Sequence, residues 1–130
     1  MIGLVLVTHG NLALEFRGAV EHIVGKQPDM ECLCIEPQDD VESRRDDLLA
    51  AVERVSTGGG VVILTDMFGG TPSNLALSVM EAGKVEVLAG INLPMLVKLA
   101  KVRADKPLPE AVEKACEAGR KYITVPSAML

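Results

Sequence analysis

The chain has 130 residues and a mass of 13.8 kDa, which fits one domain over residues 1–130 that is large enough to bury a sizeable core. Hydrophobic residues make up 48% of the sequence, but it has no Trp, two Phe and one Tyr, so the core must be mostly aliphatic. The formal net charge of -5 and the lack of a Lys/Arg cluster along the sequence argue against non-specific nucleic-acid binding.

The first predicted element is an apolar run over residues 2–8, which indicates a strand buried on both faces of a parallel sheet. It ends at His9. Asn11 is a predicted N-cap for a helix over residues 12–24 that ends at Gly25. Apolar residues at helical spacing should face the sheet, namely Leu12, Phe16, Ala19, Val20, Ile23 and Val24.

Neither a signal peptide nor a membrane-spanning helix is predicted, because the N-terminus lacks a basic segment and no apolar run approaches ~20 residues. The three cysteines are an odd number without a C-x-x-C pair, which favours a reduced, cytoplasmic location. Cys32 and Cys34 should pack as small hydrophobic residues on one face of a strand.

A second strand is predicted over residues 31–35, closed by Pro37, and a helix then starts at Asp39 or Asp40 and continues to about residue 55. The outer face of this helix mixes both signs of charge, which indicates a solvated surface. Its inward positions are Val41, Leu48, Val52 and Val55.

The third apolar run, residues 61–65, is followed by Asp66 and later by Thr71-Pro72, which predict a helix with Thr71 as N-cap and its end at Gly83. A fourth strand is predicted over residues 85–89.

Two more helices and a terminal strand complete the prediction, with Asn92 opening a helix to about Arg103 and a fifth helix over residues 110–118. The tail over residues 121–126 is β-prone and is expected to join a sheet edge, its own or a partner's. The expected fold is α/β, a doubly wound and mainly parallel four-stranded sheet flanked by helices.

Two polar side chains follow predicted strands, His9 after the first and Asp66 after the third. The carboxyl ends of parallel strands share one edge, so the two can meet at the topological switch point. A carboxylate that accepts a proton from one imidazole nitrogen leaves the other as a nucleophile. We therefore predict His9 as the nucleophile and Asp66 as its orienting residue, although a lone His after a strand is also common in turns.

Gly69, Gly70 and Thr71 form a second candidate feature. They stand at a predicted helix N-terminus, where backbone N–H groups and the helix dipole favour an anion. Since Gly and Thr are common at helix starts, this signal is weak alone, and its value is that it follows Asp66 closely. His22 is expected at the surface, and Met95 and Leu96 in the core.

Three segments together resemble the IIA component (EIIA) of the mannose family of the bacterial phosphoenolpyruvate:sugar phosphotransferase system (PTS). They are Val7-Thr8-His9-Gly10, Asp66-Met67-Phe68-Gly69-Gly70-Thr71-Pro72-Ser73-Asn74 and Ala89-Gly90-Ile91-Asn92-Leu93-Pro94-Met95-Leu96. Their order and spacing extend the resemblance over nearly the whole chain.

The resemblance implies a cytoplasmic phosphotransferase component in which His9 takes a phosphoryl group from the phosphocarrier protein HPr and passes it to a IIB component for sugar uptake. It implies that Asp66 orients the ring and that Thr71 hydrogen-bonds the phosphoryl oxygens. It further implies a homodimer that exchanges the C-terminal strand near Tyr122 to Val125, and contact with a membrane only through a permease. No metal or other cofactor is expected, because the sequence offers no convincing site for a hard cation. The sugar and the phosphorylated ring nitrogen are left open.

Other functions have specific sequence requirements. A regulatory phosphohistidine protein would keep the same residues, so it remains an alternative. A small metal chelatase would need a second metal ligand, for which His22 is the available histidine. A histidine phosphatase would have Arg where Thr8 stands, and an ATP-dependent kinase would need a P-loop, which the sequence lacks.

Overall fold

A computed structural model of the protein describes residues 1–129, and these form a four-stranded parallel β-sheet covered by five α-helices. The strands are β1 (Gly3–His9), β2 (Met30–Ile35), β3 (Val61–Thr65) and β4 (Val85–Ala89). The helices are α1 (Leu12–Val24), α2 (Val41–Val55), α3 (Thr71–Ser78), α4 (Leu93–Val102) and α5 (Leu108–Lys121), followed by a 3-10 helix (Pro126–Met129). The predicted α/β class is confirmed.

The strand order is β2-β1-β3-β4, so the chain turns one way from β1 to β2 and the other way to reach β3. A crevice therefore opens between the carboxyl ends of β1 and β3. The register places Val7 of β1 beside Thr65 of β3, and His9 beside Ile35 of β2. His9 and the residue after Thr65 thus reach the same edge.

Both faces of the sheet are covered. Leu4 and Leu6 of β1 point into a core shared with α1, α4 and α5, whereas Val5 and Val7 point into a core shared with α2 and α3. Since successive side chains of a strand alternate between faces, a strand covered on both sides must be apolar throughout. This explains the uninterrupted apolar runs of β1 and β3.

The bounds of α1 agree with the prediction, and its inward face agrees in part, because Val20 is buried and Phe16 and Val24 pack against the core as expected. Ala13 and Val20 are buried, while Leu12 and Ile23 are 46% and 55% exposed. Asn11 occupies the N-cap position without a side-chain cap. Thr8 supplies the cap instead, because its Oγ1 accepts a hydrogen bond of 2.8 Å from the Ala13 N–H.

The other helices differ mainly at their first and last turns. In α2 the Asp40 side chain caps the Ser43 N–H, and Val41, which was expected to face inward, is 53% exposed. The N-cap of α3 is Gly70 and not Thr71. This helix ends at Ser78, because residues 79–84 form a tight turn in which the Glu81 N–H bonds to the Val85 carbonyl.

Helix α5 is longer than predicted, and the segment after it is not a strand in the single chain. Buried Leu108 and Ala118 extend the packed face of α5 at both ends. Beyond Lys121 all side chains through Met129 are exposed, with local turns such as the Ala128 N–H to Val125 carbonyl bond. Of the two expected pairings, the one with its own sheet is wrong, since an extended segment without a neighbouring strand leaves its backbone groups unpaired and turns are favoured, while pairing with a partner's sheet stays a prediction.

Arg103 lies at the opposite end of the sheet from His9, next to the start of β1. The side chain is 1% exposed, and its Nε donates to the Ile2 carbonyl at 2.9 Å, Nη2 to the Asp29 carbonyl at 2.9 Å and Nη1 to Gln27 Oε1 at 3.2 Å. Burial lowers the pKa of Arg103, and the charge of Asp29 partly offsets this. One buried guanidinium therefore joins the start of β1 to the loop before β2. No helix among residues 1–129 is both long and apolar enough to span a bilayer.

Candidate functional site

His9 and Asp66 are in direct contact at the carboxyl edge of the sheet. Asp66 Oδ2 lies 2.8 Å from His9 Nδ1 and also accepts a 3.0 Å hydrogen bond from the His9 backbone N–H. A single carboxylate oxygen thus contacts both the ring and the main chain of His9. The other oxygen, Oδ1, accepts from the N–H of Met67 at 3.1 Å.

The charge of Asp66 determines which nitrogen of a neutral His9 ring carries the proton. Burial alone would raise the pKa of Asp66, but the hydrogen bonds from the His9 ring and backbone outweigh it, so the pKa lies below its usual value of 3.8. Asp66 is consequently a carboxylate at neutral pH and can only accept hydrogen bonds. In a neutral imidazole, Nδ1 must then carry the proton and Nε2 the free lone pair.

Gly70 lies beside this free nitrogen. A Cβ atom on Gly70 would come within 3.3 Å of His9 Nε2, and the backbone of Gly70 has φ of 86°, a conformation that favours glycine. Gly70 is the N-cap of α3, so Nε2 faces the positive end of that helix. The missing side chain keeps the space next to Nε2 open.

A depression of about 420 Å³ surrounds the exposed face of His9. Of the predicted residues, His9 and Thr71 line it, whereas Gly69 is in the same loop but does not. The remaining walls come from the end of β2 and the start of α2, which the sequence analysis did not connect with the site. They are Gly10, Ile35, Glu36, Pro37, Asp39 and Val41.

The pairing of β2 with β1 explains why these residues line the depression. Ile35 pairs with His9, so the residues that follow it, Glu36 and Pro37, must lie at the same sheet edge. The carboxylate of Asp39 accepts from the Glu36 N–H at 2.9 Å and faces Arg44 Nε at 3.3 Å. Two acidic residues therefore lie on this side of the depression, and no Lys or Arg lines it.

The other candidate ligands lie away from the depression. His22 is exposed on α1, and the thiols of Cys32, Cys34 and Cys116 are free. Burial raises the pKa of Cys32 to about 11, against an opposing effect of Arg17, so this thiol stays protonated and packs on the core as expected. Within residues 1–129 no three His, Cys, Asp or Glu side chains are grouped so that they could hold a metal ion.

Residues 3–116 match the model of the protein family EIIA-man, described as "PTS system fructose IIA component". The mannose-specific EIIAB component of the PTS from Escherichia coli K12 is 34% identical over 124 residues, which are 94% of this chain and 38% of that protein. The chain therefore spans well under half the length of this relative. The sorbose-specific EIIA component of Lacticaseibacillus casei is 35% identical over 98 residues, 75% of this chain and 70% of that protein.

Solved structures give the same result for the fold. The EIIA component from Streptococcus agalactiae superposes with a TM-score of 0.87 at 29% identity, covering 98% of this chain and 99% of the other. The mannose/sorbose-specific IIA subunit from Enterococcus faecalis superposes with a TM-score of 0.79 at 26% identity, over 95% of this chain and 93% of that one.

Proposed function

The chain belongs to the EIIA-man family of PTS components, and from this premise we propose that it is a phosphoryl carrier that accepts a phosphoryl group from phospho-HPr on His9 and passes it to a IIB component. The observation that carries the proposal is the single Asp66 oxygen bonded to both the ring and the backbone of His9. In this role the protein is the histidine phosphotransfer component of a cytoplasmic relay to a sugar permease.

Nε2 of His9 is the proposed acceptor atom. Its lone pair forms the new N–P bond as the N–P bond of the donor histidine breaks and the donor nitrogen keeps that electron pair. The ring then becomes positively charged with the proton still on Nδ1, and the carboxylate of Asp66 stabilises this cation. The open space beside Gly70 supports Nε2 as the reacting nitrogen.

The N-terminus of α3 is the proposed cradle for the phosphoryl oxygens. The first N–H groups of a helix have no acceptor within the helix, which leaves those of Gly70, Thr71 and Ser73 available, since Pro72 has none. The Thr71 hydroxyl adds a further donor at the depression. Fixed dipoles of this kind stabilise a transferring phosphoryl group by positioning and charge, so we expect transfer to need no metal ion.

Exposed apolar side chains around the depression support docking of a protein partner. Leu12, Met67 and Phe68 are 46%, 56% and 76% exposed, and all are within four residues of His9 or Asp66 along the chain. Val41 is exposed on the opposite wall. An apolar surface with an acidic side would complement a partner whose docking surface is apolar and basic.

We also propose a homodimer that exchanges the C-terminal segment. Ile123 and Val125 are 76% and 66% exposed, and β4 is an edge strand beside a groove of about 800 Å³ that includes Leu88 and Val112. Pairing of the segment with the edge of a second copy would bury these side chains and satisfy its backbone. Deleting residues 121–130 should weaken the dimer in sedimentation equilibrium, and a monomeric full-length protein at tens of micromolar would refute the exchange.

The central test is phosphorylation by phosphoenolpyruvate, enzyme I and HPr. Wild type and His22→Ala should each gain one acid-labile, alkali-stable phosphoryl group, which 15N NMR should locate at Nε2. His9→Ala should gain none, and excess EDTA should not slow transfer from phospho-HPr. A normal yield of adduct on His9→Ala would contradict the proposal.

A further inference from the structure

The depression at His9 continues along the surface as a groove between α2 and α3. A second cavity of about 200 Å³ adjoins the depression, and Val41 and Thr71 line both. The side chains of this second cavity come from one face of each helix, because they are three, four or seven residues apart. They are Val41 and Arg45 of α2 and Thr71, Asn74, Leu75 and Ser78 of α3. We call it the α2–α3 groove, and it leads about 10 Å away from His9 at the usual rise of an α-helix.

The α2–α3 groove does not depend on the C-terminal segment. None of its lining residues belongs to residues 121–130, and none lines the groove beside Leu88 and Val112 where the exchanged segment is proposed to bind. The helices α2 and α3 cover one face of the sheet, whereas α4 and α5 cover the other. The exchange of the segment therefore takes no wall away from the α2–α3 groove.

The charge changes sign between the depression and the far end of the α2–α3 groove. Glu36 and Asp39 line the depression, where no Lys or Arg of residues 1–129 is present. The charged residue of the groove is Arg45, and no Asp or Glu of the same residues lines it. A partner that covers both places is complementary if it presents basic groups near His9 and an acidic group further along.

Arg45 carries a guanidinium without a counter-charge. Arg44 and Arg54 of the same helix each pair with a carboxylate, but Arg45 forms no ion pair within residues 1–129. Its Nε donates to Ser78 Oγ at 3.3 Å and its Nη2 to the Ser78 carbonyl at 3.5 Å, so both acceptors are neutral and both bonds are long. A guanidinium with such weak partners fits a carboxylate, which can accept two of its N–H bonds side by side.

We propose that the α2–α3 groove is a docking site for HPr and that Arg45 binds a carboxylate on the surface of HPr. This inference rests on the proposed carrier function. Val41 and Leu75 form the apolar floor on which HPr packs, and the exposed Asn74 offers a further donor beside Arg45. Because Arg45 does not touch the reacting atoms, it is a specificity-determining residue that acts on binding of the donor and not on the transfer step.

The acidic side of the depression is the reason for choosing the phosphoryl donor as the occupant. Phospho-HPr brings a negatively charged phosphoryl group towards Glu36 and Asp39, and like charges brought together at an interface are unfavourable. The unphosphorylated acceptor protein brings no such charge when it docks. An ion pair at Arg45, away from the reacting atoms, offsets part of this repulsion without holding the phosphoryl group itself.

The test is single-turnover transfer from excess phospho-HPr to the full chain, measured by rapid quench at a series of HPr concentrations. Arg45→Gln should raise the half-saturating concentration about fivefold and Arg45→Glu about tenfold or more, while the rate at saturation stays within about twofold of wild type. Arg45→Lys keeps the positive charge and should stay within about twofold in both values. The matched control is Arg54→Gln, which removes the same charge from the last turn of α2, outside the groove, and should leave both values unchanged.

Three results would overturn the inference. The first is an unchanged half-saturating concentration in Arg45→Glu, and the second is an equal rise in Arg45→Gln and Arg54→Gln, which would mean that overall charge controls the encounter. The third is a lower rate at saturation with no change in half-saturating concentration, because Arg45 would then act only by holding the end of α3 through Ser78. A wild-type protein that gains no phosphoryl group on His9 would instead refute the carrier function, and this inference with it.

Discussion

Replacing Asp66 with Asn tests whether its charge, and not only its hydrogen bonds, drives transfer. The amide oxygen of Asn can still accept from both N–H groups of His9, so this contact should survive, but the NH2 group of Asn cannot accept from the Met67 N–H as Oδ1 does. With Oδ2 2.8 Å from Nδ1, the charge centres are about 4 Å apart, and a full charge there contributes about 4 kcal/mol at an effective dielectric constant of about 20. The His9 side chain is 51% exposed, so solvent screening should reduce this to about 1–3 kcal/mol, a rate loss of about 5–150-fold.

The assay is single-turnover transfer from phospho-HPr, measured by rapid quench. Asp47→Asn is the matched control, because it makes the same change on exposed α2, where Asp47 pairs with Arg44, and it should transfer at the wild-type rate. Unfolding in urea must first establish that both variants fold. A folded Asp66→Asn protein with an unchanged rate would mean that Asp66 only caps the loop after β3.

Three further outcomes follow from the geometry. The pKa of Asp66 is lowered in the fold, so its contribution to stability should be complete above its usual pKa of 3.8 and should disappear as pH falls through the lower folded value. Urea unfolding should therefore show a smaller difference in the free energy of unfolding between wild type and Asp66→Asn at about pH 3 than at neutral pH. An equal difference at the two pH values would contradict this expectation. Gly70→Ala should slow phosphorylation about tenfold or more, because the new Cβ would crowd His9 Nε2 and an alanine at this positive φ costs about 1 kcal/mol. The control Gly18→Ala, where nothing lies within 4 Å of the new Cβ, should keep the wild-type rate. Equal rapid-quench rates for the two variants would exclude crowding. Arg103→Met should lower the free energy of unfolding by about 2 kcal/mol, since three acceptors lose their donor, and should leave His9 phosphorylation intact. A variant as stable as wild type, or more stable, would show that the cost of desolvating the buried charge outweighs these hydrogen bonds.

Sequence patterns predicted the strands and the contact of His9 with Asp66 because both depend on strong local signals. An apolar run that ends in one polar residue specifies where a buried strand stops, and parallel strands stop at a common edge. The helix starts at Asp39 or Asp40 and at Asn92 were likewise predicted, and the side chains of Asp40 and Asn92 each accept a hydrogen bond from a first-turn N–H. The roles of His9, Asp66 and Thr71 in transfer remain predictions.

The differences arise where tertiary contacts replace a local preference. Asn11 is a residue type that often caps helices, but Thr8 at the end of β1 accepts the hydrogen bond from the Ala13 N–H instead. Helix α3 was predicted to continue to Gly83, yet the Glu81 N–H pairs with Val85 before β4 and stops it. Which walls enclose His9 depends on the pairing of β2 with β1, and no short-range pattern encodes that pairing.

Oδ2 of Asp66 couples the charge of the His9 ring to the mobility of the His9 backbone, because it accepts hydrogen bonds from both. When the ring of His9 gains positive charge, its hydrogen bond to Asp66 strengthens, and the same oxygen also holds the His9 amide. The coupling free energy is the same in both directions, so a restraint that holds the end of β1 in place also favours the charged form of the His9 ring. If His9 carries a phosphoryl group as proposed, solvent exchange of the His9 amide proton should therefore report the phosphorylated fraction, without a label on the phosphoryl group.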